Sequence, residues 1–373
     1  MHRTVTVCGA TLVAVVVAAA PAAAVSGGDK AASGAAPWMA TIAFKGDDPL
    51  VQRASCGGAL IAPDRVATAA HCLDHVDPTH LEVHLGGGTL STDPGTTVPI
   101  RGWSLHPGFR LIPSPQAPQD PSKSSVADDG AIIELAHPVF GVTPLPVAAT
   151  APAPGSTVDV YGHGLTKAVD PKDPTASLGD ELAHGELKVI DDKACGKSFG
   201  SPDLIDGASV LCTATAGTTV CTGDSGGPLV EHTPLGDRLA GIVSFAGEVQ
   251  GKQCGEPAAN GFADATALRS FLTQPHPPLA PMTDGHPRIT GTKAAGNTLT
   301  CRAPHWRAGS PDQVQYGWYY GKTDPSGFEL FLPIDGAKDS TLKLTPERAG
   351  QKLECSVDAS TAGGTVSQLA EPV

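Results

Sequence analysis

An all-β protein is the fold class this sequence predicts, and three observations predict it. Short alternating apolar runs recur, as in L-E-V-H-L at 81–85, where Leu81, Val83 and Leu85 share one face of a strand. Turn formers are dense, with 44 Gly and 34 Pro, and each reverses the chain for its own backbone reason. Sustained helical periodicity is missing. The one helix expected lies near 264–272, where Asp264 caps a segment that places Leu268, Phe271 and Leu272 on one side. At 373 residues the chain exceeds one typical domain, so two folded units are expected. The text changes character across T-Q-P-H-P-P-L-A-P, which reads as an extended, semi-rigid linker over 275–287.

The chain opens with Arg3, an apolar stretch to Ala20 and P-A-A-A ending at Ala24. That order reads as a secretory signal over residues 1–24. The competing reading is a membrane anchor, since residues 5–24 are about long enough to span a bilayer; Gly9, Pro21 and the terminal alanines favour cleavage. Of nine cysteines, only Cys8 lies in the leader, which leaves an even number for an oxidising, extracellular compartment. The formal charge of -13 argues against sequence-independent binding to nucleic acid or to an anionic membrane.

Two stretches carry chemistry. Residues 220–228 read V-C-T-G-D-S-G-G-P. Ser225 is either the apex of a polar turn or a nucleophile flanked by Gly223, whose missing Cβ lets backbone N–H groups converge on a developing oxyanion. A Ser hydroxyl stays weak until a base takes its proton. Most histidines, including His75, His84, His106 and His163, have no local feature that marks them as that base. His71 has one. It ends the run C-G-G-A-L-I-A-P-D-R-V-A-T-A-A-H-C, which reads as a hairpin stapled by Cys56 and Cys72. Closing a loop of that size is worth about 3 kcal/mol.

T-A-A-H-C followed later by G-D-S-G-G-P resembles the chymotrypsin/trypsin family of serine proteases over residues 25–274. The resemblance implies two six-stranded antiparallel Greek-key barrels with the active site between them, and neither metal nor cofactor. It implies His71 as base and Ser225 as nucleophile, with the amides of Gly223 and Ser225 as the oxyanion hole. The orienting carboxylate is expected before an apolar strand. In A-D-D-G-A-I-I-E-L that puts it at Asp129, with Asp128 as the fallback and Gly130 where the family usually has Ile or Val. It further implies the pairs Cys56–Cys72, Cys195–Cys212 and Cys221–Cys254, and an amine at Val25 that folds inward onto Asp224. Two routes to that N-terminus stand open: signal peptidase cutting after Ala24, or an earlier cut and a short propeptide. The primary pocket is expected from Thr219, Ser244, Phe245 and Ala246. Thr219 stands where trypsin-like members carry Asp, so apolar residues are expected over Arg or Lys, whose buried charge would lack a partner. The insertion at 110–127 borders the cleft or is an inert loop.

Residues 288–373 contain Cys301, Trp318 and Cys355 in the order of an immunoglobulin-like sandwich and resemble Ig-like modules of secreted actinobacterial proteins. Leu353 replaces the Tyr of a tyrosine corner. Trp306, Tyr316, Trp318, Tyr319 and Tyr320 read as strand packing, with a sugar platform as the alternative. The function expected is a secreted, monomeric serine endopeptidase acting on protein or peptide substrates, with a cell-wall, carbohydrate or protein ligand for the C-terminal unit. The alternative is a catalytically inactive protease-fold binding protein or a wall-associated adhesion protein.

Overall fold

The computed structural model describes residues 25–373 except 121–122, 215–216, 308–309, 325–326 and 328; the expected leader at 1–24 lies outside the described residues. Strands dominate, and only short helices join them. After β1 (Asp29–Lys30), the first half supplies β2 (Met39–Phe44), β3 (Ala54–Ala62), β4 (Arg65–Thr68), β5 (Leu81–Leu85), β6 (Thr96–Val98) and β7 (Ile100–Leu105). β8 (Arg110–Ile112) and β9 (Ser125–Ala127) form a separate ribbon that closes the insertion, and β10 (Ala131–Leu135) follows. The second half consists of β11 (Thr157–Gly162), β12 (Ala183–Ile190), β13 (Val210–Ala214), β14 (Pro228–Thr233), β15 (Gly236–Phe245) and β16 (Asn260–Asp264).

The second half closes on itself. Its strands run β12-β11-β14-β15-β16-β13, and a further β12–β13 ladder completes a six-stranded barrel that β1 extends at its edge. β12 shows why: in A-H-G-E-L-K-V-I every other residue is buried, which puts Ala183, Leu187 and Val189 in the barrel core. The first half departs from the expected six-stranded barrel. Its order is β6-β5-β2-β3-β4-β10-β7, seven strands with no β6–β7 ladder among the described residues. C-terminal chain covers β7 instead: the Ala280 amide donates to Trp103 O and the Leu105 amide to Gly363 O, each at 2.8 Å.

The expected helix at 264–272 is shorter than its apolar spacing suggests. Asp264 ends β16, and its carboxylate accepts from the Thr266 amide and hydroxyl, capping a turn. The helix starts only at Arg269–Leu272, yet Leu268, Phe271 and Leu272 are all buried, as the periodicity requires.

Beyond residue 282 come β17 (Thr283–Asp284), β18 (Arg288–Thr290), β19 (Thr298–Arg302), β20 (His305–Trp306), β21 (Gln313–Thr323), β22 (Glu329–Pro333), β23 (Thr341–Lys343), β24 (Leu353–Thr361) and β25 (Gly364–Leu369). They form a β18-β19-β23 sheet, a β22-β21-β24-β25 sheet and the β17-β20 pair. The disulfide Cys301–Cys355 joins β19 to β24. Trp318 is fully buried beside it and donates its indole N–H to Asp339 O at 2.9 Å. Tyr316, Tyr320 and Trp306 pack on the same core, and Arg348 lies over the Tyr320 ring. Leu353 is buried where a tyrosine corner would have needed a polar partner.

Candidate active site

β4 and β10 are antiparallel neighbours, with Thr68 opposite Ala131. The chain leaving β4 and the chain entering β10 therefore meet at the same end of the sheet, which puts His71 and Asp129 side by side. Ala69 and Ala70, both fully buried, let the turn Ala70–Cys72 press against the sheet. Asp129 grips His71 twice. Oδ1 accepts from the His71 amide at 2.9 Å, and Oδ2 lies 2.7 Å from Nδ1.

Ser244, assigned by sequence only to the pocket wall, donates its hydroxyl to the same Asp129 Oδ2. Nothing in S-F-A distinguishes that role from a wall position. Burial opposes charge on the His71 ring, but the Asp129 carboxylate outweighs it by charge and hydrogen bond and holds the ring above its usual 6.5. Burial also works against Asp129, and the His71 charge and hydrogen bonds from His71 and Ser244 keep it ionised, below 3.8. Asp128, the fallback, turns away toward His106 and Arg110.

Gly130 is explained by a residue far along the chain. A Cβ there would come within 2.5 Å of Leu268 Cδ1, so Leu268 fills the volume that a larger side chain would occupy. Cys56, His71 and Cys72 also lie together, but the two sulfurs are joined to each other and offer no thiolate to a metal.

The turn that carries Ser225 enters β14. Gly226 N donates to Val243 O and Gly57 N to Ser225 O, at 2.8 and 2.7 Å, tying the turn to both halves. Gly223 has φ +94°, a conformation that only glycine adopts without strain. Among the described residues, no protein group accepts from the amides of Gly223 or Ser225. Asp224 is fully buried and accepts from the Gly164 and Cys221 amides. Val25 is also fully buried in the second core, and Ser26 bridges to Thr219.

A family model described as Trypsin matches residues 25–271. The chain belongs to the trypsin family. It is similar to Trypsin iota of Drosophila melanogaster, 30% identical over 244 residues that cover 64% of this chain and 83% of that protein. Trypsin of Sarcophaga bullata is 30% identical, over 58% of this chain and 77% of its own length. Hypodermin-B of Hypoderma lineatum is 26% identical, over 59% and 77%. The protein is thus a serine endopeptidase of this family, and its substrates are proteins or peptides.

Within the family frame, a cavity of about 210 Å³ opens beside Ser225, lined by Val220, Thr222, Val243, Ala246 and Val249. Ser244 and Phe245 also line it. The Phe245 ring packs on Phe199 and over Gly261. Thr219 does not line the cavity. It is buried, with its hydroxyl donating to Asn260 Oδ1 at 3.0 Å. The disulfides of this domain are Cys56–Cys72, Cys195–Cys212 and Cys221–Cys254. No helix among the described residues is long and apolar enough to cross a membrane.

Proposed function

We propose that this endopeptidase works through Ser225, His71 and Asp129 and cleaves after apolar residues of small to medium size. The double grip of Asp129 on His71 carries the reading: it fixes the ring tautomer with Nδ1 protonated, leaving Nε2 to take the Ser225 proton. The amides of Gly223 and Ser225, which have no acceptor among the described residues, are assigned to the oxyanion. His71 accepts the proton as Ser225 attacks the carbonyl, then delivers it to the leaving amine. A fluorophosphonate probe tests the assignment. Labelling of the wild type and none of Ser225→Ala is expected, and equal labelling of both would defeat it.

The neutral cavity wall and the buried Thr219–Asn260 pair support apolar specificity, because a buried Arg or Lys would face no carboxylate there. Peptide-library cleavage checks it, and dominant cutting after Arg or Lys overturns it.

Burial of Val25 and Asp224 supports an N-terminal amine at Val25 paired with Asp224; we read the enzyme as secreted and monomeric. Mass spectrometry of the mature protein checks this, with a main species that starts before Val25 refuting a direct cut after Ala24. We read residues 288–373 as an Ig-like module, on the Cys301–Cys355 link between its sheets and the buried Trp318. Its wall, carbohydrate or protein ligand is tested by pull-down on the corresponding surfaces.

A further inference from the structure

The C-terminal chain is built into the first half of the protease beside the His71 turn. His75, four residues after His71, has φ +64°. Two backbone bonds of 3.0 Å hold it there: its amide donates to Thr365 O and its carbonyl accepts from the Ser367 amide. The His75 ring adds a 2.6 Å contact to Ser367 Oγ. Two residues further on, the Asp77 carboxylate is buried. One oxygen accepts from the Thr79 amide and hydroxyl. The other accepts from the Thr283 hydroxyl and the Gln368 side-chain amide. Asp77, Thr283 and Gln368 are 1%, 1% and 4% exposed. A buried carboxylate is costly unless its donors are in place, and half of its donors come from the C-terminal chain.

The same chain also grips the segment that carries Asp129. Leu105 donates to Gly363 O, lies opposite Ala131 in the sheet, and is followed by His106, whose amide donates to Gly130 O. Trp103 joins the two grips: its indole donates to Val76 O at 2.9 Å, and its carbonyl accepts from Ala280. Gly364 seats against that indole with φ +135°, where a Cβ would come within 2.5 Å of the ring.

We propose that residues 278–283 and 361–368 position the His71–Asp129 pair, with Asp77, Thr283 and Gln368 as positioning residues of the base. The C-terminal unit is then a working part of the protease as well as any binding module it provides. The inference rests on the assignment of His71 and Asp129, which the Ser225→Ala labelling test examines separately.

The test uses the full chain with a chromogenic apolar peptide amide and titrated active sites. Thr283→Val and Gln368→Leu are expected to lower kcat per active site at least tenfold with KM within twofold. The acid limb of kcat/KM should move to lower pH, because a looser Asp129 stabilises the imidazolium less. Thr283→Ser, which keeps the hydroxyl, should restore both. Folded variants with unchanged kcat per site and an unchanged limb would overturn the proposal. So would a loss confined to the number of titratable sites, since general destabilisation produces that. If both variants fail to fold, Ser367→Ala at the partly exposed edge decides: a smaller fall in kcat with the same limb shift supports the proposal, and neither change refutes it.

Discussion

The two halves of the catalytic domain build their shares of the site in opposite ways. The first half works with side chains: a ring and a carboxylate, brought together because β4 ends where β10 begins, touch at 2.7 Å, and the carboxylate also accepts from the His71 backbone amide at 2.9 Å. The second half works with backbone. Apart from the Ser225 hydroxyl and the Ser244 hydroxyl that donates to Asp129, its proposed share is peptide N–H groups on a turn with glycines at φ +94° and +79° in Gly223 and Gly226. The contrast teaches where each half is fragile. The His71–Asp129 pair of the first fails when a side chain is removed, and the glycine turn of the second fails when one is added.

Removing charge from the first half has the largest expected effect. Asp129→Asn keeps the shape but offers N–H where His71 needs an acceptor, so the ring is held in the wrong tautomer. A fall in kcat on the order of 10⁴ is expected, with the fold intact. The pH profile sharpens the point. In its proposed role as base His71 must be neutral, and Asp129 holds it above 6.5, so wild-type activity should fall as pH drops through a value above 6.5. In Asp129→Asn the residual acid limb should lie lower. A rate-against-pH series on both proteins checks this, and coincident limbs would mean that Asp129 does not set the ionisation of His71.

Adding a methyl to the second half comes next. Gly223→Ala must force a non-glycine residue into φ +94° and place a Cβ 3.0 Å from Gly164 Cα. The backbone shift moves the amide assigned to the oxyanion, and about 10² to 10³ in kcat should be lost, the usual cost of one such donor. Steady-state kinetics read this. KM should change much less than kcat, and a pure KM effect would place Gly223 in ground-state binding instead.

The same contrast explains what the sequence made legible. Gly223 and Gly226 are visible in the text because only glycine suits their backbone, and His71 is visible beside its cysteine. Asp129 needed the family resemblance, since A-D-D-G offers two carboxylates with nothing local to choose between them. The choice lies in three dimensions, where Leu268 fills the space above Gly130 from 138 positions away (268 − 130). Nothing in the sequence singles out Asp77, Thr283 and Gln368, because their burial depends on an interface between distant segments. Thr219 is legible as neutral, but its hydrogen bond depends on Asn260, which carries no motif.

The smallest expected effect belongs to Asp128, and it guards the comparison against the obvious alternative. Asp128 has φ +51°, a conformation Asn tolerates as well as Asp, so Asp128→Asn leaves the backbone unstrained. It loses a 3.3 Å pairing with Arg110, which keeps a 2.9 Å partner in Asp206. The side chain is 23% exposed, and pairs of this kind are worth about 0–1 kcal/mol. Burial already holds His106 below its usual 6.5, and the Asp128 charge opposes that, so the substitution should lower the His106 pKa further. Activity should stay within twofold of wild type and stability within about 1 kcal/mol. NMR titration of His106, run beside the kinetics, separates a local electrostatic change from a catalytic one. A loss of activity comparable to that of Asp129→Asn would move the orienting role one residue back along the chain, and the strand-end argument for His71 and Asp129 would fail with it.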